Sequence, residues 1–516
     1  MKRFIQRFSD KITGVLNGFD RLVLRATLRQ ISYARGPKGF QGFLCHRRIL
    51  LKDFGHYTQS VTHQLKEASC QAAIAQKRPI IYLPSSQTDK QARAKEIASK
   101  DGINNGLIAV ITCVEPCTSF KVGPNPKTKH LELELCRRKC LYIYHYLIDP
   151  QFGFMHARIQ TWFPFQIQIC LNGREWLARQ MDKAGIQYRR LDNCFPWIEN
   201  FEKAQKLMDQ QLRTAWRSAL DRFVRMLNPI HGKIFKGFPF QYYWSAYESE
   251  WASDIAFQNA SALAAIYPSL VLHAMTTFSS RDVMRFLGRK LHGNFEGEVV
   301  SDFKHRPEGV RIKHRVGKNS IKLYDKFGRV LRSEFTMNNP RDFMVLRPNK
   351  KNPRRRCRLR LGIADLYRRC QISQKANERY LDALAAADTS TSLGDLLQSV
   401  CQPTVWNGKR IRALQPWSQQ DVELFRAVCH GEFSVNGFRN RDLQALLFKG
   451  APGSLQERQR RSGRVSRLLR MLRAHHLIKR VPSTYRYVLT TKGSTIMTTA
   501  LTAQRITLDQ LNRIAA

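Results

Sequence analysis

Acidic residues in two parts of the chain could hold a divalent metal ion and support phosphodiester chemistry. Glu250 and Asp254 lie in a segment that we predict to be helical, where they would be one turn apart on the same face. Asp325 and Glu334 lie in a strongly basic segment rich in predicted strands. Because acids are scarce beside the many bases, the alternative is that these carboxylates form ion pairs with arginines.

Two cysteine pairs share the spacing CxxxC: Cys113 with Cys117, and Cys136 with Cys140. Four thiolates can hold a structural zinc ion tetrahedrally. Both pairs lie on or beside predicted strands, where residues four apart are separated by about 13 Å, so each pair would need a turn. The alternative is ordinary, semi-buried cysteines. Twelve cysteines in 516 residues are too few for a disulfide scaffold, which predicts reduced thiols and a cytoplasmic chain.

The charge balance indicates the kind of partner. The chain has 86 Lys+Arg against 40 Asp+Glu, a net charge of +46, and its 43% hydrophobic residues are too many for a disordered basic tail. Such a charge is typical of a protein that binds a polyanion, above all nucleic acid. A membrane surface is the rival polyanion, but we find no basic amphipathic anchor, no lipidation motif, no signal peptide and no apolar run of about 18 residues.

The last hundred residues carry the most specific pattern. Three predicted helices are followed by two short strands, an order that resembles a winged helix, a member of the helix-turn-helix class. The predicted elements are helices at 418–428, 441–448 and 455–475 and strands at 477–481 and 485–489.

The third of these helices is predicted to contact duplex DNA. Val465, Leu468, Leu469 and Leu472 form its apolar face. Arginine binds phosphates and reads guanine in the major groove. The alternative is a helix that contacts another protein. The arginines on its other faces are Arg458, Arg460, Arg461, Arg464, Arg467, Arg470 and Arg473.

Residues 301–360 form a second basic region, with 19 Lys+Arg against 5 Asp+Glu. Three strands are predicted at 309–314, 320–324 and 329–335, with Lys322 and Tyr324 on one face. Cations beside aromatic rings predict a platform for single strands or RNA, whereas the alternative is the solvated face of an antiparallel sheet. The predicted contacts are Lys313, Lys322 and Arg332 on the strands and Arg354, Arg355, Arg356, Arg358 and Arg360 in the connector that follows.

Part of this region resembles a known family. Asn319-Ser-Ile-Lys-Leu-Tyr-Asp-Lys326, followed by Val330-Leu-Arg-Ser-Glu334, is similar to a segment of the replication-initiation proteins of rolling-circle plasmids and filamentous phages. In that family a tyrosine attacks DNA and paired histidines hold a metal, so the resemblance implies Tyr324 as a nucleophile. The chain departs from the family in having no His-hydrophobic-His triplet.

Together these patterns predict an α+β fold with four parts: a helical N-terminal region (1–78), a mostly antiparallel sheet core (79–346), a basic connector with a helical spacer (347–416) and a winged helix (417–516). They predict a nucleic-acid-binding protein, a DNA-processing factor of a bacterial mobile genetic element, with strand cleavage or transfer assisted by Mg²⁺ or Mn²⁺. The alternative is a non-catalytic RNA-binding protein in a ribonucleoprotein. No P-loop, GxSxG or HExxH motif supports an NTPase or a hydrolase.

Overall fold

The computed structural model describes residues 1–31, 36–238, 240–289, 299–306, 309–347, 356–387, 393–429, 433, 437–448, 450–482 and 484–504. Two predicted nucleic-acid contacts, Arg354 and Arg355, lie outside these ranges. The strands, in chain order, are β1 (Ile12–Leu28), β2 (Ile80–Leu83), β3 (Gly106–Pro124), β4 (Leu131–Asp149), β5 (Gly153–Gln160), β6 (Ile167–Asn172), β7 (Tyr188–Leu191), β8 (Cys194–Ile198), β9 (Tyr242–Phe257), β10 (Val299–Arg306), β11 (Gly309–Val316), β12 (Asn319–Lys326), β13 (Val330–Met337), β14 (Met344–Leu346), β15 (Arg356–Arg358), β16 (Thr404–Trp406), β17 (Lys409–Ile411), β18 (Ile478–Arg480) and β19 (Tyr487–Leu489).

The helices, in chain order, are α1 (Lys2–Arg7), α2 (Gly36–His46), α3 (Phe54–Ala75), α4 (Lys90–Lys100), α5 (Gly173–Lys183), α6 (Phe201–Gln210), α7 (Trp216–Leu227), α8 (His231–Ile234), α9 (Ala260–Ala264), α10 (Tyr267–Thr276), α11 (Ser280–Phe286), α12 (Leu366–Leu384), α13 (Leu393–Gln398), α14 (Gln419–Val428), α15 (Asn440–Leu447), α16 (Leu455–Ala474) and α17 (Thr491–Ala503).

Within the described residues, one sheet joins eleven strands in the order β10-β11-β12-β13-β9-β1-β6-β5-β4-β3-β2. Neighbouring strands are antiparallel except β2 and β3, which are parallel and connected through α4. The predicted mixture of helices with a mostly antiparallel sheet is therefore confirmed. The three strands predicted between residues 309 and 335 are also confirmed, with Gly328 at φ 67° in the turn before β13.

The N-terminal region differs from its prediction. Residues 12–28 form β1, which pairs with β9 on one side and β6 on the other, so the prediction of an all-helical region 1–78 is wrong there. Most residues of β1 are buried. A strand buried on both faces lacks the alternation of polar and apolar residues by which strands are recognised in a sequence. The helices α2 and α3 account for most of the rest of this region.

A second correction concerns β9, which lies in a region predicted to be mainly helical. β9 pairs with β1 and β13 in the middle of the sheet. Glu250 and Asp254 therefore lie on a strand and not on a helix. They still share a face, because residues four apart lie on the same side of either element.

The two faces of the sheet differ at β9 and β13. One face packs against α12, where the fully buried Asn377 donates to the carbonyl oxygen of Trp251 and accepts a hydrogen bond from Ser333 Oγ. The opposite face carries Lys322, Arg332 and Glu334 at alternate positions, as the pleat requires. The hairpin β7–β8 lies against β9 and β13, and the charged side chains on this face form the site described below.

The C-terminal elements follow the predicted order: α14, α15, α16 and then the hairpin β18–β19. In α16, Val465, Leu469 and Leu472 are buried and Leu468 is half-buried, which confirms the predicted apolar face. The helix α17 follows the hairpin and was not anticipated.

Among the described residues, no single helix is long and apolar enough to cross a membrane. Two helical segments separated by a sharp bend, Ala260–Thr276 and Ser280–Phe286, are together long and apolar enough, by length and composition only. Leu263, Leu270 and Phe286 of this pair are fully buried in a core that also contains residues of α12 and β12.

The position of α12 depends on one buried arginine. Arg369 is 2% exposed and donates to three neutral groups, Ser249 Oγ and the carbonyl oxygens of Ala246 and Met337. Burial lowers the pKa of Arg369 to about 10. Its guanidinium thus links α12 to backbone carbonyl groups of β9 and β13.

We predict that Arg369→Met lowers the free energy of unfolding by about 2–4 kcal/mol, because buried carbonyl groups lose their donor. Urea unfolding followed by circular dichroism measures the effect. The matched control is Lys375→Met, an exposed lysine of the same helix, which should change stability by no more than about 0.5 kcal/mol. Equal losses in the two variants would contradict this role of Arg369.

Candidate functional site

Arg332 lies at the centre of the charged face. Its side chain is 1% exposed, and Nε and Nη2 donate to the two oxygens of Asp254 at 2.6 and 2.8 Å. Nη1 donates to Asp20 at 2.8 Å, and Nη2 also donates to the carbonyl oxygen of Asn193 at 2.7 Å. One planar guanidinium therefore joins β13, β9, β1 and the hairpin β7–β8.

Asp20 reaches this position through a β-bulge. Phe19 pairs with Trp251 and Arg21 with Glu250, so Asp20 is an extra residue on β1 with no partner on β9. A bulge re-aims a side chain that would otherwise follow the regular alternation. The sequence suggests Asp20 and Arg21 as a surface ion pair at the start of a helix, and that interpretation is wrong. Asp20 is buried, and Arg21 pairs with Glu248 at 3.2 Å.

Three carboxylates meet beside Arg332. Oxygens of Asp20, Glu250 and Glu334 all lie within 4.8 Å of one another, the only such group of potential metal ligands among the described residues. Lys322 donates from Nζ to Glu250 at 3.0 Å and to Glu334 at 2.5 Å. We call Asp20, Glu250, Glu334 and Lys322 the carboxylate–lysine cluster. Glu250 is its most exposed member, with 17% of the side chain accessible, so the cluster opens to solvent there.

The buried charges of this face are coupled. Four carboxylates, including Asp254, bond to three cations, since Arg174 also donates to Asp254 at 2.9 Å. Lys326, which is 6% exposed, supplies a fourth buried positive charge that acts on Asp254. Burial raises the pKa of Asp20 and of Glu334; the charge of Glu334 adds to the rise at Asp20, and the charge of Glu250 adds to the rise at Glu334. Burial also acts to raise the pKa of Asp254, but Arg174 and Arg332 outweigh it and hold that pKa below its usual range. A bound cation would favour the ionised form of these carboxylates.

The structure brings four of the five predicted catalytic residues to this face. Tyr324 lies beside the cluster, with Lys322 Nζ 5.9 Å from the centre of its ring. Burial and the charges of Glu334 and Glu250 raise the pKa of Tyr324 to about 12, so the phenol is protonated at neutral pH and a nucleophilic role would need a base. Asp325 does not join them, because it points away and accepts from the amide of Gly328 in the turn.

The histidines do not form the metal-binding pair of the family that the segment 319–334 resembles. In β4 and β5, Tyr146 pairs with His156 and His145 pairs with Ala157, so the two histidines lie on opposite faces of the sheet. His145 is 1% exposed, and burial lowers its pKa to about 4. Within the described chain, metal binding near Tyr324 would depend on carboxylates.

The structure corrects two predicted nucleic-acid contacts. Lys322 and Arg332 are 8% and 1% exposed and their charges are taken by carboxylates, so neither is a surface cation. The prediction fails because the alternation along a strand determines on which face of the sheet a side chain lies, but it does not determine whether that face is exposed to solvent. Lys313 is half-buried, whereas Arg356, Arg358 and Arg360 are exposed.

The four cysteines predicted to bind zinc lie on the paired strands β3 and β4, without the turns that a four-thiolate site would require. Among the described residues, no three of these cysteines come within ligand distance of one another. Cys113, Cys117 and Cys140 are buried and Cys136 is half-buried, in agreement with the alternative of ordinary semi-buried cysteines.

The arginines of α16 remain largely free for a partner. Arg461 is held by Glu457 at 2.5 Å and by the carbonyl oxygen of Gly450, and Arg473 lies over the ring of Trp406. The exposed arginines of this helix are Arg458, Arg460, Arg464, Arg467 and Arg470.

Sequence reasoning missed Asp20 as a member of the site. The residue lies more than 200 positions before Glu250 and belongs to a segment that was predicted to be helical. Its one local signal is an aspartate inside an apolar run, Gly18-Phe-Asp-Arg-Leu-Val-Leu24, where a buried charge requires a distant partner.

Comparison of the chain with protein-family models, with curated proteins and with solved structures finds no match. The site must therefore be interpreted from its own geometry.

We predict that Glu334→Gln changes the pH dependence of stability. Because the pKa of Glu334 is raised on folding, its contribution is fully present below about pH 4.5 and is lost as the pH rises through its folded-state pKa. The difference in stability between wild type and variant should therefore shift in favour of the variant as the pH rises from 4.5 to 8. Urea unfolding across this range gives the two curves.

Glu132→Gln, an exposed glutamate of β4, is the control and should run parallel to wild type. Parallel curves for wild type and Glu334→Gln would show that the carboxyl group of Glu334 titrates normally.

Proposed function

We propose that the protein binds nucleic acid and cleaves or transfers a strand with the help of Mg²⁺ or Mn²⁺ held by the carboxylate–lysine cluster. The observation that carries the proposal is the meeting of three carboxylates, Asp20, Glu250 and Glu334, whose oxygens lie within 4.8 Å of one another in a chain of net charge +46. Oxygen ligands of this kind suit both ions. We interpret the chain as a cytoplasmic DNA-processing factor of a mobile genetic element, as its composition suggests.

In this proposal each residue has a distinct role. The carboxylates would hold the metal ion, which supplies Lewis-acid chemistry at a phosphate when bound. Lys322, which lies between Glu250 and Glu334, would neutralise charge on a bound phosphate. Arg332 and Asp254 keep the carboxylates in position. Tyr324 is the candidate nucleophile, with Glu334 or Glu250 as the base that its raised pKa requires.

One observation favours the alternative of a non-catalytic RNA-binding protein. Lys322 already bridges Glu250 and Glu334, so it neutralises much of the charge that a metal ion would otherwise meet. In that case the cluster is a buried ion-pair network that organises the sheet. Protein purified from its host without nuclease would then carry one discrete RNA, which sequencing of the bound nucleic acid would identify.

Strand cleavage provides the direct test. We expect the purified protein to nick plasmid or single-stranded DNA with Mn²⁺, and Glu334→Gln and Asp20→Asn to slow nicking by about a hundredfold, roughly 3 kcal/mol, while DNA binding is retained. Asp325→Asn is the matched control, because Asp325 lies in the same hairpin but only supports its turn.

If Glu334→Gln nicks as fast as wild type, the cluster is not catalytic, and the result favours the alternative of a non-catalytic RNA-binding protein.

Tyr324→Phe distinguishes attack by tyrosine from attack by water. Loss of a covalent protein–DNA adduct in this variant would indicate attack by tyrosine, and unchanged nicking would indicate attack by water.

We also propose that the C-terminal residues 417–504 act as a winged helix, with α16 in the major groove of a DNA duplex. The order of three helices and a hairpin supports this, as does the bridge between Phe438, just before α15, and Tyr487 of β19. The exposed arginines of α16 would contact phosphates and bases.

The salt dependence of duplex binding tests this assignment. Arg464→Ala and Arg467→Ala should each weaken binding to a labelled duplex and reduce the slope of log K against log salt by about one. Arg461→Ala is the control with a smaller effect, because Glu457 and Gly450 already hold that side chain. Fluorescence anisotropy at several salt concentrations gives the slopes, and equal slopes for all variants would argue against contact by α16.

A further inference from the structure

A row of arginines runs along β1 on the face of the carboxylate–lysine cluster. Arg21 lies opposite Glu250 in the register of β1 and β9. Arg25 lies four residues further along β1, on the same face. Arg29 follows just after the end of the strand. Successive members are four residues apart, or about 13 Å in extended chain. The row is accessible: Arg29 is exposed, Arg25 is half-buried, and the Arg21 side chain is 48% exposed.

Two of these arginines are stacked on tyrosines of β9. The guanidinium of Arg25 lies 3.6 Å from the centre of the Tyr247 ring, and that of Arg29 lies 3.3 Å from the centre of the Tyr243 ring. Tyr247 is the extra residue of a second bulge, between the pairs Val23–Glu248 and Leu24–Ala246, and is 46% exposed. The bulge therefore turns an aromatic ring outward beside a cation, as in proteins that stack single-stranded bases.

The basic connector joins this row at its far end. The amide of Ala246 donates to the carbonyl oxygen of Leu361, and Ser245 forms a bridge with Gly362. Gly362 permits the close approach, since a Cβ atom there would lie 2.2 Å from the Tyr243 hydroxyl. The exposed Arg360, which precedes these contacts in the chain, therefore lies near the end of the row at which Tyr243 is found.

We propose that Arg21, Arg25, Arg29, Tyr243 and Tyr247 form a binding track for single-stranded nucleic acid that leads to the carboxylate–lysine cluster. Arginines four residues apart would contact phosphates, and the tyrosine rings would stack on bases. A duplex cannot use the track in this way, because its bases are paired and stacked inside. The inference rests on the proposed function for its direction, from connector to cluster, but strand binding itself can be measured without cleavage.

Fluorescence anisotropy with labelled dT20 and rU20 tests the track in the full-length protein, with excess unlabelled duplex present to occupy α16; binding of a labelled 20-bp duplex is measured separately, without competitor. Tyr247→Ala and Arg25→Ala should each weaken binding of the single strands by about tenfold and leave duplex binding unchanged. Tyr247→Phe should bind like wild type, because it keeps the ring. The control is Arg217→Ala, an exposed arginine of α7 outside the row.

Tight binding of dT20 with weak binding of rU20 would assign the track to DNA, and the reverse would assign it to RNA; either result supports the track. Single-strand affinity that is unchanged in both Tyr247→Ala and Arg25→Ala would overturn it. Glu334→Gln separates the two proposals. If this variant cleaves like wild type while the track variants lose affinity, the cleavage proposal fails and the track stands.

Discussion

The buried guanidinium of Arg332 is the interaction on which the rest of this site depends. A charge with 1% exposure must be paired and hydrogen bonded, and Arg332 meets this requirement with two aspartates and a backbone carbonyl from three different elements. Those contacts fix the bulge of Asp20 against β9 and hold the hairpin β7–β8 on the sheet. Removal of Arg332 would leave Asp20 without a cationic partner and Asp254 with Arg174 alone.

Around this fixed point the sheet separates two environments. One face is apolar or neutral and packs on α12, where Asn377 and Arg369 satisfy backbone groups of the central strands. The other face collects charge from strands that are distant in sequence. Three of its carboxylates converge to within 4.8 Å of one another in a strongly basic protein, and this buried convergence distinguishes the cluster from a set of surface ion pairs.

The proposed binding surfaces lie around the cluster and not within it. The predicted contacts Lys322 and Arg332 are internal, whereas the exposed cations lie on β1, on the connector near Arg360 and on α16. Two of the three β-bulges of the β1–β9 pair place side chains of these sites: one turns Asp20 inward to the carboxylates, and another turns Tyr247 outward beside Arg25. A single pair of strands thereby connects the proposed strand-binding track with the proposed metal site.

The sequence by itself determined the features that depend on local pattern: the mostly antiparallel sheet, the hairpins around residues 309–335, the apolar face of α16, and the candidacy of Glu250, Asp254, Glu334 and Tyr324. Tertiary structure alone decided the rest. β1 and β9 are buried between other strands, so their burial hides the period of two by which a strand is recognised. The role of Asp20, and the burial of Lys322 and Arg332, follow from a bulge and from strand pairing between residues far apart in the chain, and local periodicity carries no information about either.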